Sequence, residues 1–370
     1  MKRDEILMAE CLDLAARGRG AVSPNPMVGA VIIRRGKIIG RGYHRKFGGP
    51  HAEVNAIRSC RGPVRGATLY VNLEPCCHHG KTPPCTELII RSGISRVVVG
   101  MKDPNPLVSG RGLRALRGAG LSVTSGVLSK ECEKLNEAFS KHLSTGQPLV
   151  TIKIAQSADG VVADYRGSAR WITGEAARRD GHRRRGESDA ILVGAGTITQ
   201  DDPLLTVRHI RGRQPLRVVL DGKLSVETGA RIFKDRRHPV VLVTTERAFV
   251  RHRKKASVLG RRGVTFIIFP GDRKGSIPVR NVLIALGRRG VSSLIVEGGP
   301  ATWGAFLNAG SADRLLLYTA PTLLGGNRKA FSYLRGRELH AAVKLKNILL
   351  TILGEDVLLS ADVKFSPRIG

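Results

Sequence analysis

Runs of apolar positions, separated by polar turns, divide the first part of this 370-residue chain into short elements. Thr68–Leu73 and residues 96–100 are apolar runs of strand length. Between residues 130 and 143, apolar side chains recur at helical spacing among charged ones, which predicts one amphipathic helix. The turn-forming residues 144–148 follow, and we place a domain boundary there.

The second half of the chain alternates strand-like apolar runs with helical segments. The strand-like runs are residues 149–154, 190–193, 217–220, 240–244, 264–268, 293–296 and 315–318. Such alternation is typical of an α/β domain. The chain length also favours two domains, so we predict an α/β protein with domains at residues 1–145 and 149–366.

Composition narrows the class of protein. A hydrophobic fraction of 42% is enough to form packed cores and excludes wholesale disorder. No apolar run approaches the roughly 18 residues of a membrane span, and Glu10 and Asp13 interrupt the apolar stretch expected of a signal peptide. Six cysteines in a chain of this length do not indicate a disulfide framework. We therefore expect a cytoplasmic protein with no membrane partner.

The formal net charge of +31 is unusual and is spread along the chain, with clusters at residues 178–185, 231–237 and 251–262. Such a charge favours anionic partners. Aromatic residues are only 4% of the chain, however, so the side chains that stack on single-stranded nucleic acid are scarce. We interpret the excess mainly as solvated surface and do not expect nucleic acid as a partner.

The residues with the clearest chemistry are His51-Ala52-Glu53, Cys76 and Cys85. One imidazole and two thiolates can hold a tetrahedral zinc ion with one position left open for water. Glu53 can then carry protons without being a ligand, as in zinc deaminases of nucleobases. Alone, the tripeptide could be an ordinary helix start and the cysteines a structural pair. The order H-x-E, strand, P-C favours catalytic zinc.

The spacing of the two cysteines departs from the usual P-C-x-x-C, because residues 77–84 separate them. Cys77 is an adjacent thiol that could compete as a ligand. The insert also contains His78 and Lys81, which suit a substrate with an anionic group, although a solvated loop explains the histidine equally well.

Two glycine-rich turns follow strands in the second half. Gly194-Ala195-Gly196 lacks the third glycine of the dinucleotide-binding fingerprint and could be only a tight turn. The sequence 297–300 (EGGP) ends a strand and opens a helix over residues 301–308. Glycines and the free N–H groups of a helix start favour phosphate, so this turn predicts phosphate or dinucleotide binding.

Together these stretches resemble the bifunctional riboflavin-biosynthesis deaminase/reductase family. In the first half the resemblance rests on residues 25–29, 49–54, 74–85, 103–106 and 109–112. In the second half it rests on Lys153 and on residues 159–160, 171–173, 178–180, 193–197, 201–208, 220–221 and 297–300. It implies a cytidine-deaminase-like α/β/α domain followed by a dihydrofolate-reductase-like α/β domain.

The resemblance also implies two reactions. The first is zinc-dependent deamination of a diaminopyrimidinone that carries a ribosylamino 5′-phosphate, and the second is reduction of the ribosyl group to ribityl by NADPH. In the deaminase, His51, Cys76 and Cys85 would bind one Zn²⁺ and Glu53 would be catalytic. Its substrate-binding residues would be Asn25, His44, His78, Lys81, Asp103 and Asn105. On local sequence alone, Asn25 and Asn105 are turn residues beside proline.

For the reductase, the resemblance assigns two further sets of residues. The NADPH-binding set is Ala155, Trp171, Thr197, Asp201, Gly299, Pro300, Ala301, Thr302, Trp303, Gly304 and Ala305. The substrate-binding set is Ala169, Arg185, Leu205, Arg208 and Glu297. Ala169 stands where the family commonly has a serine, so one substrate hydrogen bond is lost or supplied differently. Asp201 is our candidate for proton handling, although residues 201–203 could also be a capped turn.

Two alternatives come from the zinc residues and the net charge. One is a polynucleotide deaminase of the kind that acts on tRNA. The other is a basic nucleic-acid-binding protein whose enzymatic sites are relics. The complete zinc set and the glycine turn at residues 297–300 weigh against the second of these. Assembly into a homo-oligomer remains open at this stage.

Overall fold

The computed structural model describes residues 2–78, 83–106, 108–272 and 275–366. The chain divides into two compact units, Met1–Gln147 and Pro148–Gly370. No helix in the described part of the chain is both long enough and apolar enough to cross a bilayer.

The first unit is a three-layer α/β/α domain. Its strands are β1 (Gly29–Arg34), β2 (Lys37–Tyr43), β3 (Thr68–Leu73), β4 (Arg96–Met101) and β5 (Ser122–Ser125). Its helices are α1 (Arg3–Ala16), α2 (Ala52–Arg58), α3 (Cys85–Arg91), α4 (Arg111–Gly118), α5 (Ser129–Leu135) and α6 (Glu137–Thr145). The strand order is β2-β1-β3-β4-β5. Helices α1 and α5 cover one face of the sheet, and α2, α3 and α4 cover the other.

The predicted single helix over residues 130–143 is wrong, because the chain forms α5 and α6 with a break at Asn136. The side chain of Asn136 is buried and pairs with the backbone of Met27. Its Oδ1 accepts the N–H of Met27 at 2.8 Å, and its Nδ2 donates to the carbonyl oxygen at 3.0 Å. A contact with a residue more than a hundred positions away therefore interrupts a locally favourable helix.

The second unit is built on a nine-stranded sheet with the order β10-β9-β8-β7-β11-β6-β12-β14-β13. The strands are β6 (Leu149–Ser157), β7 (Ala190–Gly194), β8 (Leu216–Leu220), β9 (Val240–Thr245), β10 (Val264–Phe269), β11 (Ser293–Gly298), β12 (Arg314–Ala320), β13 (Lys344–Leu353) and β14 (Asp356–Lys364). Strands β6 to β12 are mutually parallel, and β13 and β14 form an antiparallel hairpin at one edge. All seven strand-like runs of the sequence are strands.

Helices lie on both faces of this sheet, and two apolar clusters fill the space beneath them. The helices are α7 (Glu175–Glu187), α8 (Ala195–Asp201), α9 (Arg231–Lys234), α10 (Glu246–Arg251), α11 (Arg253–Arg261), α12 (Val279–Gly287) and α13 (Pro300–Asn308). Because helices cover both faces of the sheet, central strands such as β7 are apolar along their length. The loops after β7 and β11, which are adjacent parallel strands, therefore meet at one edge of the sheet.

Candidate functional site

The first unit brings His51, Cys76 and Cys85 together where three elements meet. His51 is the N-cap of α2, Cys76 follows β3, and Cys85 is the first residue of α3. The Nδ1 atom of His51 lies 3.2 Å from Sγ of Cys85 and 3.6 Å from Sγ of Cys76. All three potential ligand atoms lie within 4.8 Å of one another.

These distances fit a zinc ion. Ordinary Zn–N and Zn–S bonds at a tetrahedral angle place the nitrogen and a sulfur about 3.6 Å apart. Hydrogen bonds from the Cys85 thiol and from His51 stabilise the thiolate of Cys76 and lower its pKa, and the same pairing raises the pKa of Cys85. Cys77 does not belong to the cluster that the described residues form. The cluster has three protein ligands, which leaves one tetrahedral position for water.

Glu53 lies in the first turn of α2 and is buried against the three ligands. Burial raises the pKa of its carboxyl group, and the negative charge of Cys76 raises it further. A carboxyl group in this position therefore binds a proton more readily than an exposed one does. This is the property that a proton shuttle beside a metal-activated water needs.

His44 and Asn25 lie on the His51 side of the cluster. The ring of His44 is buried and meets the ring of His51 edge-on, with centroids 5.7 Å apart. Its Nδ1 lies 3.1 Å from the carbonyl oxygen of Pro50 and its Nε2 lies 3.2 Å from the amide nitrogen of Asn25. A carbonyl can only accept, so Nδ1 donates to Pro50 and Nε2 accepts from Asn25. Burial lowers the pKa of His44, in keeping with a neutral ring.

Asp103 and Asn105 lie on the Cys76 side. Burial raises the pKa of Asp103 to about 6, and its carboxylate accepts the backbone N–H of Asn105 at 2.8 Å. The charges of Cys76 and His78 both act on Asp103, which places these groups near one another. His78 itself is exposed. Lys81, the remaining predicted substrate residue of this unit, lies outside the described residues.

Glu74 is a residue of this site that the sequence analysis missed. Its buried carboxylate accepts backbone N–H groups from Asp103 at 3.2 Å, Gly110 at 2.9 Å and Leu113 at 3.2 Å. It therefore ties the segment that carries Asp103 to the loop that carries Cys76. Its position before the Pro-Cys pair is a sequence signal, but its partners lie too far along the chain to be inferred from spacing.

The second unit contains a cavity of about 950 Å³ beside the loops that follow β7 and β11. That volume is within the range of cofactor sites. Most of the predicted reductase residues line it. They are Ala155, Ala169, Trp171, Arg185, Thr197, Asp201, Leu205, Arg208, Glu297, Gly299, Pro300, Ala301, Thr302 and Trp303. Gly304 and Ala305 lie further along α13, where Gly304 is buried against Tyr333 and Ala305 is exposed.

Two glycines allow the loops of this cavity to approach each other. A Cβ atom on Gly194 would lie 2.4 Å from Oγ1 of Thr302, and one on Gly298 would lie 2.5 Å from Cβ of Val193. Both contacts are too short for any larger residue. Gly299, with φ of +66°, caps α13 and directs its N-terminus at the cavity. The chain thus forms a narrow backbone cradle of the kind that suits a phosphate of a dinucleotide.

Arg185, Glu297 and Lys153 form the charged floor of the cavity. Arg185 donates from Nε and Nη2 to the two oxygens of Glu297, each at 2.7 Å. Burial alone would raise the pKa of Glu297, but Arg185 and Lys153 outweigh it and lower the pKa to about 2. Lys153 is buried below them, with Nζ 5.4 Å from the ring centre of Tyr318. In the sequence, Lys153 is recognisable only as part of the resemblance.

Asp201 differs from Glu297 in its surroundings. It lines the cavity at the end of α8, and burial raises the pKa of its carboxyl group, an effect that the positive charge of Arg170 partly offsets. Ala169 also lines the cavity and brings no hydroxyl to it. Arg170, Arg231 and Arg328, which the sequence analysis did not single out, line the cavity as well.

Comparison with known proteins gives consistent matches to both units. The family model of the RibD C-terminal domain matches residues 148–359, and that of the cytidine and deoxycytidylate deaminase zinc-binding region matches residues 1–101. The riboflavin biosynthesis protein RibD of Aquifex aeolicus is 41% identical over 96% of this chain and 97% of its own length.

Two solved structures are also similar over the whole chain. RibD of Acinetobacter baumannii has a TM-score of 0.88 at 35% identity and covers 98% of this chain and 99% of its own. A diaminohydroxyphosphoribosylaminopyrimidine deaminase/5-amino-6-(5-phosphoribosylamino)uracil reductase of Thermotoga maritima has a TM-score of 0.85 at 38% identity, with the same coverage.

Proposed function

We propose, from the premise that this chain belongs to the RibD family of riboflavin-biosynthesis proteins, that its two sites act in sequence on one pyrimidine. The chain is a bifunctional enzyme, with a zinc-dependent deaminase first and a reductase of the NADPH-binding kind second. The predicted α/β class with these two domains is confirmed. A polynucleotide deaminase is not favoured, since the matches include the reductase.

The substrates that we assign are those in the description of the Thermotoga maritima relative. In the first step, 2,5-diamino-6-ribosylamino-4(3H)-pyrimidinone 5′-phosphate exchanges a ring amine for an oxygen and releases ammonia. In the second step, the ribosyl group of the deaminated product is reduced to ribityl. The observation that supports this assignment best is the presence of a zinc-ligand cluster and a cationic dinucleotide-sized cavity in one chain.

In the deaminase, His51, Cys76 and Cys85 would hold the zinc ion. Zinc, when bound, activates a water molecule for attack on the amine-bearing carbon. Glu53 takes a proton from that water and delivers it to the nitrogen that leaves as ammonia. Its burial beside the three ligands and its raised pKa support this role.

The remaining deaminase residues would bind the substrate. Asn25 and His44 would contact it on the His51 side, and Asp103 and Asn105 on the Cys76 side. His78 and Lys81 would meet the phosphate. His44 already donates Nδ1–H to Pro50, so only its Nε2 is available to a ligand. Because Nε2 accepts a hydrogen bond from Asn25, a ligand would have to share Nε2 with Asn25 or displace it.

In the reductase, the loops after β7 and β11 would hold NADPH, which supplies a hydride to the sugar carbon. Glu297 remains ionised, because Arg185 and Lys153 keep its pKa at about 2, and it holds the guanidinium of Arg185 through two hydrogen bonds. The sugar oxygen needs a proton as the hydride arrives. We assign this proton to Asp201, whose pKa burial raises.

We also propose that the protein works in the cytoplasm. None of the six cysteines, all of which lie among the described residues, forms a disulfide. A zinc site with two thiolate ligands needs a compartment in which thiols stay reduced. Fractionation of the producing cells, followed by detection of the protein, checks this assignment.

Mass spectrometry of the products tests the function. Zinc-loaded protein is incubated with the diaminopyrimidine phosphate, once without NADPH and once with it. We expect deaminated product alone in the first reaction and deaminated, reduced product in the second. Unchanged substrate in both reactions, with zinc content verified, would overturn the assignment.

A further inference from the structure

Glu74 is a buried carboxylate of the first unit that no step of the proposed deamination uses. It directly follows β3 and precedes Pro75 and the zinc ligand Cys76. The residue is only 3% exposed. Burial of a carboxylate costs free energy unless hydrogen-bond donors replace the water that it loses. The donors that surround Glu74 therefore indicate what it does.

Three backbone N–H groups converge on this carboxylate. Its Oε2 accepts the N–H of Asp103 at 3.2 Å and that of Gly110 at 2.9 Å, and its Oε1 accepts the N–H of Leu113 at 3.2 Å. Gly110 is the N-cap of α4 and has no side chain with which to cap the helix. Glu74 supplies the acceptor instead, at the end of the helix where a negative charge is favourable.

The backbone around Glu74 is packed directly against α4. The backbone N–H of Glu74 donates to the carbonyl oxygen of Met101, the last residue of β4, at 3.0 Å. Gly112 lies in the first turn of α4 and is buried, and a Cβ atom there would collide with the carbonyl oxygen of Pro75. The start of α4 and the chain that leads to Cys76 therefore form one closely packed group.

The hydrogen bond to Asp103 also determines where Asn105 lies. The carboxylate of Asp103 accepts the N–H of Asn105 at 2.8 Å. The carbonyl oxygen of Asn105 accepts the N–H groups of Val108 and Ser109, each at 2.8 Å. Glu74 thus holds the segment with these two predicted substrate-binding side chains at its beginning and at its end.

We propose that Glu74 is a positioning residue for substrate binding by the deaminase. It holds Asp103, and through it Asn105, in a fixed place relative to the loop that carries Cys76. A carboxylate suits this role because both of its oxygens accept hydrogen bonds and neither donates one. The amide of a glutamine would turn its NH₂ group toward at least one of the three N–H donors. The proposal rests on the proposed deaminase function, which assigns the pyrimidine to Asp103 and Asn105.

Steady-state kinetics of the full-length, zinc-loaded Glu74→Gln variant test this role. Ammonia release from the diaminopyrimidine phosphate gives KM and kcat, and metal analysis gives the zinc content. Misplaced binding groups weaken the ground state and the transition state alike. KM should therefore rise by about tenfold or more, whereas kcat stays within about threefold of wild type and the zinc content is unchanged. The matched control is Glu131→Gln, an exposed glutamate of α5 in the same unit, which should retain the wild-type KM.

Glu74→Asp is the second variant, and it decides the test if the first unit of Glu74→Gln does not fold. Its side chain is one methylene shorter and cannot reach all three N–H groups, so KM should rise by about 3- to 10-fold. Circular dichroism and reduction of the deaminated pyrimidine show whether each preparation is folded.

Three results from a folded variant would overturn the positioning role. They are a KM within about twofold of wild type, a fall in kcat at least as large as the rise in KM, and loss of zinc. Loss of zinc would assign Glu74 to the metal site instead of the substrate. Wild-type protein that does not deaminate the pyrimidine would refute the proposed function, whereas an active wild type with an unaffected Glu74→Gln would refute only the positioning role.

Discussion

Arg185 and Glu297 face each other through two hydrogen bonds of 2.7 Å, although 112 positions separate them in the sequence. The pair joins α7 to β11 at the floor of the reductase cavity. Both side chains are largely buried, with exposed fractions of 17% and 7%. Removing either partner would leave a buried charge without compensation, which is far more costly than losing an exposed ion pair.

Glu297→Gln should therefore lower the free energy of unfolding of the second unit by about 3 kcal/mol near neutral pH. The pKa of Glu297 is lowered to about 2 in the folded chain. Its stabilisation is present above the unfolded-state value of about 4.3 and is lost as the pH falls toward 2. Denaturant unfolding at several pH values checks this. The exposed Glu246→Gln is the control, and an identical pH dependence in Glu297→Gln and wild type would contradict the assignment.

Glu53→Ala should retain zinc and lose deamination. The substitution leaves His51, Cys76 and Cys85 in place and removes only the group that moves protons, so the rate should fall by about 100- to 10,000-fold. Metal analysis and a deamination assay measure the two properties. Reduction of the deaminated pyrimidine by the same preparation is the internal control. Deamination at the wild-type rate would exclude Glu53 as the proton carrier.

His182 should make the second unit sensitive to mild acid. It is buried, and its Nδ1 accepts the backbone N–H of Arg208 at 3.2 Å. Burial, followed by the charge of Arg185, lowers its pKa to about 4. A lowered pKa means that its stabilisation is present above about 6.5 and is lost as the pH falls through about 4.

His182→Asn can keep an acceptor for Arg208 but cannot be protonated in this range. Between pH 7.5 and pH 5 the wild type should lose about 1–2 kcal/mol more unfolding free energy than this variant. Comparing the two proteins cancels the contribution of all other titrating groups. Equal losses would show that His182 is not the sensitive residue.

Gly298→Ala should impair the dinucleotide cradle. The new Cβ would lie 2.5 Å from Cβ of Val193, so β7 and β11 must separate locally. We expect the unfolding free energy to fall by about 1–3 kcal/mol and the dissociation constant of NADPH to rise about tenfold. Gly260→Ala, on α11 with no atom within 4 Å of the new Cβ, should be neutral or stabilising. NADPH binding by Gly298→Ala at wild-type strength would contradict the role of the cradle.

The features that the sequence predicted are encoded locally. His51, Glu53 and Cys76 lie next to recognisable strands and turns, and Gly298 and Gly299 lie at the end of the apolar strand β11. The break at Asn136 was not predictable in this way, since it depends on hydrogen bonds to Met27. Local preference for a helix continues through that position, and only tertiary structure interrupts it.

The hairpin of β13 and β14 escaped sequence analysis for another reason. Strand β13 is the edge of the sheet and exposes Ile348, Leu350 and Ile352, so its apolar pattern does not mark a buried face. The arginines that line the reductase cavity were also hidden, because Arg170, Arg208 and Arg231 come from three separate segments. In a chain with 61 lysines and arginines, no single one is distinctive until the fold brings it to a cavity.

The most direct test uses protein from which a chelator has removed the metal. This metal-free protein is incubated with NADPH and one of two pyrimidines. One is the diaminopyrimidine phosphate and the other is its deaminated form. We expect that the first remains unchanged, that the second is reduced, and that added zinc restores conversion of the first. Conversion of the diaminopyrimidine to deaminated product without metal, or failure to reduce the deaminated form, would contradict the assignment of two separate sites acting in this order.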